Sequence, residues 1–144
     1  MTAPARSPAP DAGAAPIPHL MLIDDERLDR MLYGRVIERS GLVGETHSFA
    51  LAEDALDFLR RPDRPQIDAI LLDINMPRMT GFDFLDTAVA EFGSSFARVV
   101  VVMLTTSMAP QDRERAGRYQ AVKDFLNKPL TIEQLRHISG LLES

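Results

Sequence analysis

Hydrophobic and polar positions switch repeatedly between two periods along this chain. His19–Ile23 is a short apolar run, and Leu28, Met31, Leu32, Val36 and Ile37 then recur at helical spacing until Gly41 stops that helix. Gly34 weakens the helix mildly. Glu45–Phe49 reads as a second strand, and Ala50–Arg61 as a second helix with Ala52, Ala55, Leu56 and Leu59 on one face and Pro62 at its end. Ile67–Leu72 predicts a third strand, and Phe82–Phe92 a helix with Phe82, Leu85, Val89 and Phe92 inward, ended by Gly93. Val99–Leu104 is an almost uniformly aliphatic fourth strand, followed by a polar helix over Pro110–Arg118 with Pro at or near its first position. Val122–Leu126 is a fifth strand. Thr131–Leu142 is a last helix, with a capping box in Thr131 and Gln134 and a hydrophobic staple in Leu130 and Leu135.

Five strands therefore alternate with five helices. Continuous rather than alternating apolar strands imply burial on both faces, hence a parallel sheet. Right-handed crossovers leave few topologies, the simplest being an α/β doubly wound sheet of order 2-1-3-4-5. Its switch point lies between strands 1 and 3, where such sheets bind ligands. Asp25 and Asp73, each at the end of an apolar run, are then predicted to be near neighbours.

Composition narrows the picture. The chain has 144 residues, 45% hydrophobic and 26% charged, ordinary for one globular domain. A net charge of −5 argues against nonspecific binding to nucleic acid or a membrane surface. There is no cysteine, so no disulfide, thiolate nucleophile or Cys-based metal site is available. Fourteen Arg stand against two Lys, Lys123 and Lys128, which draws attention to any site that keeps an ammonium. Residues 1–18 hold five of the ten prolines and six alanines, and read as a disordered Ala/Pro-rich tail before a domain over 19–144. The tail lacks the apolar middle of a signal peptide, and no stretch approaches a membrane span. A cytoplasmic location is the expectation.

Four strand ends carry the chemistry. Asp24-Asp25 follows the first strand, Asp73 ends the third, Thr105-Thr106 ends the fourth and Lys128 follows the fifth. Three carboxylates at one crevice repel one another unless a cation sits among them. Hard oxygen donors with no His or Cys nearby point to Mg²⁺. The competing reading of Asp24-Asp25 is a plain helix N-cap. A carboxylate beside Mg²⁺ and an ammonium can attack a phosphoryl group and form an aspartyl phosphate. Lys128 would neutralise the phosphoryl oxygens and the Thr105 hydroxyl would hydrogen-bond to them. A cis Lys128–Pro129 bond is expected to aim Lys128 inward, the alternative being an exposed loop lysine. Met76-Pro77 and Gly81 fit a rigid loop, and plain turn punctuation explains them equally well. Phe125 is either core packing or a mobile aromatic coupled to Thr105.

The acidic pair, the Asp of LLDINMPRMTG, the hydroxyl of VVMLTTS and the Lys of FLNKPL together resemble the receiver domain of bacterial two-component response regulators. The resemblance covers residues 19–142 and implies a flavodoxin-like (βα)5 fold, with phosphorylation of Asp73 by a histidine kinase. It assigns Asp25 as a direct Mg²⁺ ligand, Asp24 as a water-mediated one and the backbone carbonyl of Asn75 as another. It makes Thr105 and Lys128 phosphoryl contacts and Phe125, with Thr105, the switch. Asn75 and Thr106 would tune the lifetime of the phosphate. The chain looks like a stand-alone, chemotaxis-type or phytochrome-associated regulator. Its output face would be the fourth helix, fifth strand and fifth helix, where Asp112, Arg113, Glu114, Arg115, Arg118, Tyr119, Lys123 and Asp124 are dense in charge. That face is read either as solvated or as the contact with a downstream protein or a second copy of the chain.

Two further roles are open. The same site suits a relay intermediate or phosphate sink exchanging phosphate with a histidine phosphotransfer protein. A turnover phosphatase of the haloacid-dehalogenase type is disfavoured, because its acid/base Asp would fall where this chain has Asn75.

Overall fold

A computed structural model of the chain describes residues 15–106 and 109–143. The strands are β1 (Ile17–Ile23), β2 (Val43–Phe49), β3 (Ala69–Asp73), β4 (Val100–Thr105) and β5 (Val122–Asn127). The helices are α1 (Arg27–Ser40), α2 (Ala52–Arg60), α3 (Gly81–Phe92), α4 (Pro110–Ala116) and α5 (Ile132–Glu143). All strand pairs are parallel and the order is β2-β1-β3-β4-β5, the doubly wound order expected from the pattern.

The sheet separates two cores, which is why β1, β3 and β4 carry continuous apolar runs, over residues 20–23, 69–72 and 100–104. Met21, Ile23, Ile70, Leu72, Val101 and Met103 face one layer, with Leu56 and Leu59 of α2 and Phe82, Phe84 and Leu85 of α3. Leu20, Leu22, Leu71, Val102 and Leu104 face the other, with Tyr33 and Ile37 of α1 and Leu135 and Ile138 of α5. All five residues of β3 are buried. Asp73 and Thr105, the last residues of β3 and β4, are the polar residues that end these apolar runs, and both are buried.

β1 begins at Ile17, two residues before the expected start. Ile17 is fully buried, pairs with Val43 and donates its N–H to Leu42 O at 2.9 Å. Pro18 is tolerated because it has no partner in the β1–β2 register, which passes from Ile17 and Val43 to His19 and Glu45. Residues 15–18 of the expected tail thus belong to the folded unit, and residues 1–14 lie outside the described residues.

Two helical faces differ from the pattern. Leu28, Met31 and Leu32 of α1 are 57%, 49% and 42% exposed, whereas Tyr33 and Ile37 are buried. In its first turn α1 turns Asp29 and Arg30 inward, toward polar partners, so the buried face runs through 29, 33 and 37. In α3, Val89 is 47% exposed and Phe84 and Ala88 are buried instead. An unexpected 3₁₀ helix, Gly93–Arg98, follows α3 and sets Phe96 edge-on against Phe84 at 6.2 Å. The capping box at Thr131 and Gln134 is formed, and Leu130 and Leu135 are buried in one cluster. No helix among the described residues is long and apolar enough to cross a membrane.

Candidate functional site

The carboxyl ends of β1, β3, β4 and β5 meet at one crevice. Asp24 follows β1 and is anchored by its N–H on Phe49 O at 3.1 Å. Its side chain is almost fully buried, and both oxygens are engaged: Oδ1 accepts the Glu26 N–H at 2.9 Å and Oδ2 accepts Lys128 Nζ at 2.9 Å. Glu26 is the N-cap residue of α1, so Asp24 and Asp25 are not the plain cap that the sequence also allowed. Asp73, the last residue of β3, is buried, and carboxylate oxygens of Asp24, Asp25 and Asp73 lie within 4.8 Å of one another.

Lys128 enters from beyond β5. The Lys128–Pro129 bond is cis, and the Lys128 N–H donates to Thr105 O at 2.8 Å. Its side chain is only 8% exposed, with Nζ 2.9 Å from Asp24 Oδ2, 2.9 Å from Asp29 Oδ2 and 3.5 Å from Asp73 Oδ1. Thr105 is buried at the end of β4, one residue past Leu104, the register partner of Asp73. Thr106 and Asn75 are exposed beside the crevice. Phe125 is buried in the α4-side core, with the Arg113 guanidinium 5.4 Å from its ring centroid.

The loop after Asp73 is held by close contact. Ile74 and Met76 are buried, and Gly81 donates its N–H to Ile74 O at 2.9 Å. A Cβ at Gly81 would stand 2.5 Å from Asp73 O, closer than real Cβ atoms come. Only glycine therefore lets α3 start against the acceptor residue. Thr80 and Asp83 close a capping box there, which fixes the start of α3 at Gly81.

The electrostatics follow from burial and crowding. Desolvation, then the neighbouring charge of Asp24, pushes the Asp73 carboxyl up to about 7, against the pull of Lys128. Asp24 is also raised, first by burial, with Lys128 and the Glu26 N–H opposing. Burial alone would lower the Lys128 ammonium, but its bonds to Asp24 and Asp29 and the charge of Asp73 hold it above its ordinary value. One ammonium thus faces Asp24, Asp29 and Asp73. The crevice is short of positive charge, and its donors are hard oxygens, so the residues fit a Mg²⁺ ion.

The response regulator receiver domain model matches residues 20–139. The chain belongs to the response regulator receiver family. It is 31% identical over 120 residues to a probable methanogenesis regulatory protein of Methanothrix harundinacea, covering 81% of this chain and 76% of that protein. It is 28% identical over 131 residues to a sensor histidine kinase of Pseudomonas aeruginosa, covering 91% of this chain but only 12% of the kinase. A two-component response regulator from Cytophaga hutchinsonii superposes with a TM-score of 0.78 at 25% identity, over 87% of this chain and 96% of that one. Receiver domains generally bind Mg²⁺ at an acidic pocket and partner histidine kinases, and Asp24, Asp25 and Asp73 make such a pocket in this receiver.

Three residues of this receiver site escaped the sequence reading. Asp29 ion-pairs with Lys128, Arg30 Nη1 donates to Asp24 O at 2.8 Å, and the Tyr33 ring lies 6.0 Å from Lys128 Nζ. Burial and the charge of Asp29 push the Tyr33 phenol up to about 12. A signal was present: Asp29, Tyr33 and Ile37 are four residues apart, a helical row beginning at the acidic pair. Two clefts, of about 270 and 330 Å³, are lined by residues such as Arg64 and Arg98 or Ser94 and Arg118, not by the acidic residues of the crevice.

Proposed function

We propose that Asp73 accepts a phosphoryl group from a histidine kinase and that this receiver signals by the resulting change of surface. The convergence of Asp24, Asp25, Asp73 and Lys128 at the strand ends carries the reading. In the transfer, the P–N bond of a phosphohistidine breaks as an Asp73 oxygen forms the new P–O bond, and the imidazole leaves and takes up a proton. Asp73 must be ionised to attack, and a pKa near 7 means its ordinary surroundings oppose that state. Lys128, held cationic by its neighbours, favours it and is within a short swing of phosphoryl oxygens on Asp73. Asp25, Asp73 and the Asn75 carbonyl would hold Mg²⁺ directly, with Asp24 through water. The ion would supply charge neutralisation for the phosphoryl oxygens. The Thr105 hydroxyl would bind one of those oxygens and draw the end of β4 inward. Exposed Asn75 and Thr106 would set access of hydrolytic water.

The exposed apolar row Leu28, Met31 and Leu32 flanks the crevice on α1 and suits the kinase's docking element. The output face on α4, β5 and α5 would read phosphorylation to a downstream protein or to a second copy of the chain. Much of its charge is already paired within the fold, Arg118 with Glu114, Arg115 with Asp86 and Asp124 with His137. A second reading, a relay or sink exchanging phosphate with a histidine phosphotransfer protein, is supported by Phe125, whose ring carries no hydroxyl and is already buried beneath Arg113. An acid/base role at position 75 has no support, because Asn75 has no titratable group.

Beryllofluoride with Mg²⁺ mimics the acyl phosphate and separates these readings. The switch reading predicts amide shifts at Thr105 that extend through α4. Shifts confined to the crevice would favour the relay or sink, and an unchanged spectrum would sink both.

A further inference from the structure

We propose that His19, Glu45 and His47 form a second metal site, suited to a zinc-class transition ion and separate from the acidic crevice. The three side chains share one face of the β1–β2 ladder. His19 is the direct register partner of Glu45, and His47, two residues on, pairs with Met21, two residues after His19. Two of the chain's three histidines are therefore brought together by strand pairing alone.

Two of the three donor separations match the edge of a coordination polyhedron. His19 Nδ1 lies 3.2 Å from His47 Nε2 and 3.5 Å from Glu45 Oε1, and one ligand atom from each residue falls within 4.8 Å of the others. A tetrahedral ion with bonds of about 2.0–2.1 Å to nitrogen or carboxylate oxygen has ligand–ligand edges of about 3.3–3.4 Å. The two measured separations bracket that edge, so an ion could enter without rearrangement of the strands. The rings are held in place: His47 packs on Phe58 of α2 at 5.0 Å and stacks on His19 at 5.4 Å. Phe58 is in turn fixed by Phe49 at 5.5 Å. Glu45 is largely exposed, which leaves the site open to solvent and a fourth position for water.

The donor set selects a different ion from the crevice. Two imidazoles and a carboxylate suit zinc and its neighbours, whereas the oxygen-only pocket suits Mg²⁺. His19 stands five residues before Asp24 on β1, roughly 16 Å along an extended strand. Since β2 is an edge strand, an ion here would clip that edge to β1 in register.

Without metal, the same contacts would be an imidazole–imidazole hydrogen bond and a surface ion pair. Cobalt(II) titration distinguishes the two, using the metal-free chain without added histidines and with Mg²⁺ saturating the crevice. The proposal predicts one cobalt per chain with the intense visible bands of tetrahedral coordination. Those bands should vanish in His47→Phe, which keeps an aromatic ring against Phe58, and cobalt should bind about tenfold or more weakly in Glu45→Gln. Zinc at a hundredfold excess over its dissociation constant should raise Tm by about 5–10 °C in the wild type and not in His47→Phe. A beryllofluoride response retained in both variants shows that the fold survives. Only weak octahedral bands in the wild type, or tetrahedral bands unchanged in His47→Phe, would overturn the site.

Discussion

Asp73 combines two demands that oppose each other. It must be buried enough to exclude water and ionised enough to attack. Its pKa of about 7 shows burial ahead of ionisation, with the charge of Asp24 adding to the deficit. The linkage sign follows. A carboxyl whose folded value lies above its unfolded value of about 3.9 contributes stability below pH 4, and that contribution is lost as pH rises through about 7. Asp73→Asn should therefore raise the stability of the metal-free protein at pH 8 by about 4 kcal/mol, about three pKa units at about 1.4 kcal/mol each, and change it little at pH 4. Saturating Mg²⁺, which stabilises the ionised carboxylate, should shrink the difference. Thermal unfolding of both proteins at the two pH values measures this, and an equal shift at both would contradict it. Asp73, Asp24, Asp25 and Lys128 were legible because each stands where an apolar run stops. Asp29 was not, since its role depends on which way α1 rolls, and the apolar count of that helix pointed elsewhere.

At the level of elements, close approach rather than propensity sets the geometry. Gly81 reads in the sequence as punctuation, yet its missing Cβ is what lets α3 begin against the carbonyl of Asp73. Gly81→Ala should cost about 1–3 kcal/mol, since backbone must shift, and should slow phosphoryl uptake by misplacing Asp73. Denaturant unfolding and single-turnover phosphotransfer check the two effects; wild-type values for both would refute the steric account. The same scale explains the misread helices. The periodicity over 28–37 correctly predicts a helix, but hydrophobicity ranks Leu28, Met31 and Leu32 as core although α1's first turn faces a polar crevice, not the sheet. In α3, Val89 is similarly displaced by Phe84 and Ala88, positions that a narrower helical stripe omits. Strand order was recoverable because continuous apolar runs admit few parallel topologies.

For the whole molecule, signalling needs a surface that differs between two states. Phe125 has no hydroxyl to trade between inside and outside, so any switch here rests on packing among Phe125, Arg113 and the end of β4. Arg115 of α4 and Tyr119, in the turn after it, also reach α3, Tyr119 donating to Asp86 Oδ1 at 2.6 Å with Arg115 Nη2 3.7 Å from Asp86 Oδ2. If the α4–β5–α5 face pairs two copies, beryllofluoride with Mg²⁺ should shift the chain from monomer to dimer in sedimentation, and Asp73→Asn should not respond. An unchanged sedimentation coefficient would remove self-association from the account and leave a separate downstream protein as the reader.

Phosphoryl acceptance on Asp73 is the claim on which the rest depends. Its most direct test is intact-mass analysis after incubation with Mg²⁺ and either a phosphorylated histidine kinase or phosphoramidate, a small donor with the same P–N bond. The account predicts one added phosphoryl group, localised to Asp73 by reductive trapping, not formed when Mg²⁺ is chelated beforehand and absent in Asp73→Asn. A phosphoryl group that persists in Asp73→Asn, or no uptake from either donor by a folded protein, would contradict it.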